Sequence, residues 1–160
     1  MKQGSTLFLK IAVILIGIPV LALCIFFVPA IGNFAAELYP DSSYIKYLVF
    51  LDLYLAAIPF YFALFQAFKL LTYIDKNNAF SELSVRALKM IKYCGIAISF
   101  VIAVGMPLYY LIAEKDDAPG LILIGLVIIF ASIVIAVFAA VLQKLLKDAI
   151  DIKSENDLTV

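Results

Sequence analysis

The chain has 160 residues, 66% of them hydrophobic and 15% charged, with 12 basic and 12 acidic side chains and a formal net charge of zero. Soluble domains are nearer one half apolar, so this is a membrane composition, and the balanced charge argues against direct nucleic acid binding. Histidine and tryptophan are both absent, and without histidine the commonest metal ligand and general base are missing.

The first apolar run covers residues 7–31, "LFLKIAVILIGIPVLALCIFFVPAI". It is longer than the core of a signal peptide and reads as a retained span. A polar connection follows, "NFAAELYPDSSYIK", and then three further stretches at 47–71, 91–112 and 120–141, the last without a charge. About 20 apolar residues cross roughly 30 Å of hydrocarbon, so all four qualify as spans. The expected fold is all-α: a polytopic membrane protein, a four-transmembrane-helix bundle in one domain over residues 1–153, with helix 3 and helix 4 extended into the cytoplasm. The end of the chain, 154–160, reads as a disordered tail.

Basic residues sort by side. Lys2, Lys10, Lys69, Lys76, Arg86, Lys89, Lys92, Lys144, Lys147 and Lys153 lie toward the face shared by both termini and the loop at 72–90, whereas only Lys46 and Lys115 lie toward the other. Lysine- and arginine-rich loops stay in the cytoplasm, so this bias places both termini and the loop at 72–90 inside a cell membrane.

That loop belongs to the one long polar stretch in the interior, "YIDKNNAFSELSVRALKMIKYCG". Ser81 reads as a helix N-cap, with Phe80 and Val85 spaced as a hydrophobic staple, and no breaker separates Glu82 from Gly95. The third helix is therefore expected to begin near Ser81 and run straight into its span. Arg86, Lys89 and Lys92 recur every three residues on one face, opposite Ala87, Leu88 and Ile91. The plainer reading of this stripe is attraction to anionic lipid headgroups of the bilayer. The sharper one is docking of an acidic cytoplasmic protein partner.

Small residues allow membrane helices to approach closely. Gly95, Ser99 and Ala103 in the third span, and Ser132, Ala136 and Ala140 in the fourth, each recur every four residues. The tight turn "EKDDAPG" makes these spans antiparallel, so the two rows are expected to face each other, with Gly95 level with Ala140 and Ala103 level with Ser132. Pro19, Pro29, Pro59 and Pro107 fall within or at the end of spans, where they remove a backbone bond and favour kinks. Asp52 is an acidic residue inside a span and a candidate polar site, although it lies near the outer end, where interfacial water or Tyr47, Tyr54, Tyr109 and Tyr110 are within reach. Gln66 and Lys69 read as interfacial, the lysine reaching toward headgroups. After the fourth span, Leu142, Leu145, Leu146, Ala149, Ile150 and Ile152 form an apolar stripe that continues the helix into the cytoplasm. Cys24 and Cys94 lie far apart and read as buried apolar residues. No metalloprotease, nucleophile, phosphate-loop or CxxC motif is found, so no catalytic, cofactor-binding or metal-ligating residue is assigned and no cofactor is expected.

The second span and the polar stretch together resemble a family of small bacterial four-span membrane proteins, domain of unknown function 2975, most specifically around Asp75, Asn78, Phe80, Ser81, Val85, Leu88 and Ile91. The resemblance implies a polytopic membrane protein without assigned biochemistry, often encoded beside a small helix-turn-helix transcription regulator. Together these readings describe a non-enzymatic regulatory or partner-binding component that presents a basic cytoplasmic surface, with such a regulator as one candidate partner and a second copy of the chain as another. The alternative is a small transporter or efflux component using the kinked spans and Asp52. The charge bias makes a direct prediction: in a chain whose Cys24 and Cys94 are replaced, Asn78→Cys will react with a membrane-impermeant maleimide only after the cells are opened. Labelling in intact cells would invert the topology.

Overall fold

The computed structural model describes residues 2–42 and 44–158, which contain helices and turns only. The first helix has three parts: α1 (Lys2–Ala22), a π-helical turn (Leu23–Phe27) and α2 (Val28–Leu38). Then come α3 (Tyr44–Asp75), α4 (Glu82–Asp116) and α5 (Gly120–Leu158). Four stretches, Thr6–Leu38, Tyr44–Asp75, Glu82–Asp116 and Gly120–Asn156, are long and apolar enough to cross a membrane.

Two boundaries differ from expectation. Much of the segment after the first span is helix rather than loop, because Ala35, Ala36, Glu37 and Leu38 favour helix and Ala35 is fully buried. The helix stops at Tyr39, whose amide bonds Ala35 O, immediately before Pro40. The tail expected to lack structure is helical as far as Leu158, and its last two residues lie outside the described residues. Pro19, Pro59 and Pro107 all sit inside continuous helix.

The core is centred on α4, which packs against α3 on one side and α5 on the other and is joined by α2 at one end. At one end Ala35, Ile45, Val49 and Ile112 form a buried apolar cluster. Along α4 and α5 the backbones meet at Gly95, where an added Cβ would lie 2.8 Å from Ser132 O and 3.1 Å from Ala136 Cβ. Ser99 Oγ donates to Gly95 O at 3.0 Å and reaches Ile129 O at 3.3 Å. The contact is therefore in a different register from the one expected, with Gly95 level with Ser132 and Ala136 rather than with Ala140. Ala103 is exposed and Ala140 only half-buried, and the buried positions beyond Ser99 and Ala136 are Ile102 and Ala139.

The bundle is open on one side. The first helix packs on α3 and, through α2, on α4, but makes no contact with α5 among the described residues. A lateral apolar cavity of about 580 Å³ lies in this gap, lined by residues such as Leu23, Ala56, Ile98, Ile102, Ile128 and Ile135.

Because an added Cβ at Gly95 would meet the α5 backbone, Gly95→Leu should lower stability by about 1–3 kcal/mol through overpacking. Gly120→Ala, where an added Cβ meets nothing within 4 Å, should leave stability unchanged or slightly raised. Thermal unfolding in mild detergent distinguishes the two, and equal effects would show that the α4–α5 contact does not limit stability.

Candidate functional site

The polar stretch between α3 and α4 is a tightly bonded turn. Asn77 takes a left-handed conformation at φ 61°, and the Asn78 amide reaches back to Tyr73 O at 2.7 Å, closing the end of α3 in the manner of a C-terminal cap. Asn78 O then receives two hydroxyls, Ser81 Oγ at 2.6 Å and Ser84 Oγ at 3.1 Å. Ser81 also caps α4 by accepting from the Ser84 amide at 3.4 Å. Val85 is buried, but Phe80 remains 59% exposed, so it does not gain the cover a staple would give.

On the first turns of α4, Ser84, Val85, Ala87 and Leu88 are buried. Arg86 and Lys89 point outward and are exposed, while Lys92 is half-buried with its Nζ 4.7 Å from the Tyr93 ring centre. None of the three is in an ion pair among the described residues. The result is a cationic ridge on a rigid support.

Beside it lies a polar cluster that the sequence reading missed. Lys10 Nζ pairs with Asp75 Oδ2 at 2.8 Å, Thr6 Oγ1 donates to Asp75 Oδ1, and Lys10 Nζ also sits 5.3 Å from the Phe68 ring centre. This ties the first helix to the end of α3 next to the turn. A signal was available: Lys10 is the one cation inside the first apolar run, and Asp75 ends the second helix at the same level of the membrane.

Asp52 is held between α3 and α4. The Tyr109 hydroxyl donates to Asp52 Oδ2 at 2.5 Å, and the carboxylate rests on Gly105, where an added Cβ would lie 2.6 Å from Asp52 Cγ. Of the other tyrosines expected near it, Tyr47 and Tyr110 are exposed and Tyr54 bonds elsewhere. Asp52 does not line the lateral cavity. Gln66 is buried against its neighbours, and Lys69 Nζ lies 5.3 Å from the Phe65 ring centre. Cys24 and Cys94 are both free thiols. Among the described residues no three of His, Cys, Asp and Glu are grouped to hold a metal ion.

These features define a class: an all-helical protein with four membrane-length helices and its polar side chains gathered at helix ends and at a few interhelical points. The family described as protein of unknown function (DUF2975) matches over residues 30–160, and the chain belongs to it. An uncharacterized membrane protein of Bacillus subtilis (strain 168), YoaS, is 74% identical over 160 residues, 100% of each chain. No solved structure matches.

Interhelical hydrogen bonds inside membranes contribute about 1 kcal/mol. Tyr109→Phe should therefore lower stability in detergent by about that amount. Asp52→Asn, which keeps an acceptor for the hydroxyl, should cost less. The double variant should fall short of the sum of the two single losses, since the bond that Asp52→Asn weakens is already absent in Tyr109→Phe. Simple additivity would show that the two side chains do not interact.

Proposed function

We propose that this protein is a non-enzymatic membrane component that holds an acidic soluble partner at the cytoplasmic face through Arg86, Lys89 and Lys92. The observation that carries the reading is the pair of exposed, unpaired cations, Arg86 and Lys89, on a helix whose opposite face is buried and whose start is capped. A flexible loop would lose entropy on binding, whereas a ridge fixed beforehand loses little. The ten-to-two bias of basic residues supports a cytoplasmic position for it. The familial association with helix-turn-helix regulators makes such a regulator one candidate, bound as a protein rather than through its DNA. The transporter reading has less support, because Asp52 is engaged by Tyr109 and is not among the residues that line the lateral cavity.

Combined reversal by Arg86→Glu, Lys89→Glu and Lys92→Glu tests the proposal. Helicity should stay near wild type and thermal unfolding should fall only slightly, since Arg86 and Lys89 are exposed and Lys92 is half-buried. Proteins that co-purify with the wild type from native membranes should drop to background. Recovery of the same set at the same level would refute a partner at this ridge.

A further inference from the structure

We propose that the protein is a homodimer whose two α5 helices pair in parallel along a heptad seam that runs from the membrane into the cytoplasm. Beyond the partner reading, this concerns a separate surface. At 1.5 Å per residue, the 39 residues of α5 rise about 58 Å, roughly twice the hydrocarbon thickness. The uncharged stretch ends before Lys144, so the remainder stands in water. The antiparallel contacts of Gly95 with Ser132 and Ala136, and of Ser99 with Ile129, put the start of α4 level with about Lys147. Beyond that point α5 runs on without α4 beside it.

Two rows of α5 run from the part packed beside α4 into this free section. The α4-facing row is Ala136, Ala139, Gln143, Leu146 and Ile150. A second row, one residue behind and so about 100° away, alternates steps of three and four: Ile135, Phe138, Leu142, Leu145, Ala149, Ile152 and then Asn156. Leu142, Leu145 and Ile152 are 51%, 59% and 59% exposed. Inside the bilayer lipid covers such residues, but beyond Lys144 the exposed Leu145 and Ile152 stand in water and call for cover.

The flanking charges select the occupant. With Leu142 and Ala149 as a positions, and Leu145 and Ile152 as d positions, Asp148 falls at g and Lys153 at the following e. Across a parallel two-stranded coiled coil, g of one helix meets the next e of the other, so Asp148 pairs with Lys153 of the second copy, twice by symmetry. Both side chains are exposed, and neither forms an ion pair within the chain among the described residues. Asn156 takes the next a position, the polar substitution that fixes register in two-stranded coils. Two copies inserted in the same orientation must present α5 in parallel, which is the arrangement this charge pattern requires.

The test uses native membranes and a chain carrying Cys24→Ala and Cys94→Ala. Ile152→Cys, on the seam, should form a disulfide-linked dimer on mild oxidation, at least fivefold more than Ser154→Cys on the far side of the helix. Asp148→Lys or Lys153→Asp alone should cut the Ile152→Cys product several-fold, and the two together should restore it. Equal cross-linking at 152 and 154, failure of the charge swap to restore the product, or a native mass spectrum showing only monomer with retained lipid would overturn the proposal.

Discussion

Within hydrocarbon a backbone carbonyl or amide has no water to turn to, and this one constraint shapes most of the polar contacts in the protein. The clearest case is the break in the first helix. Val28 donates to Leu23 O, five residues back, in the π register. The next amide in that register would serve Cys24 O, but residue 29 is proline and carries no N–H. The Tyr54 hydroxyl of α3 takes its place, donating to Cys24 O at 3.0 Å. A proline and a tyrosine on different helices are thus coupled, since the defect made by one is satisfied by the other.

The same logic explains how the first helix stays attached although most of its surface is exposed. It lacks the close backbone approach that joins α4 to α5, and instead is held at points. Tyr61 donates to Gly17 O at 2.8 Å, Tyr54 to Cys24 O, and Lys10 and Thr6 grip Asp75. At the far end Tyr39 donates to Leu111 O at 2.9 Å, with Lys115 Nζ 4.2 Å from its ring centre. Apolar burial adds little between helices that lipid would cover equally well, so small residues and hydrogen bonds decide which helices stay together. That difference accounts for the asymmetric bundle, in which α4 is packed between α3 and α5 and a lateral cavity separates the first helix from α5.

Much of this was legible in the residues, and the parts that were not have a common geometric cause. The spans follow from length and apolarity, and the Ser81 cap from a side chain whose chemistry suits an N-terminus. The small-residue rows were harder. A step of four residues advances 400°, so each repeat drifts 40° around the helix, and by the third member a four-spaced row has left the interface. Gly95 and Ser99 therefore sit in the contact, but Ala103 has rotated out and Ile102 takes over. In α5, Ala139 replaces Ala140 in the same way. An antiparallel seam alternates steps of four and three. The Lys10–Asp75 pair and the Tyr54 contact were hidden for a different reason: they join residues on separate helices, and no periodicity along one segment reveals its partner.

The two ends of the molecule are built to different rules. One end is closed by an apolar cluster of Ala35, Ile45, Val49 and Ile112, with a short turn between α4 and α5. The other carries the capped α3–α4 turn, the Lys10–Asp75 pair, the ridge of Arg86 and Lys89 and the free length of α5. Asp52, the carboxylate deepest in a helix, is occupied by Tyr109 and Gly105 as an interhelical fastener. The polar groups of the interior thus hold helices together, whereas the exposed cations Arg86 and Lys89, which form no ion pair among the described residues, stand at the charged end.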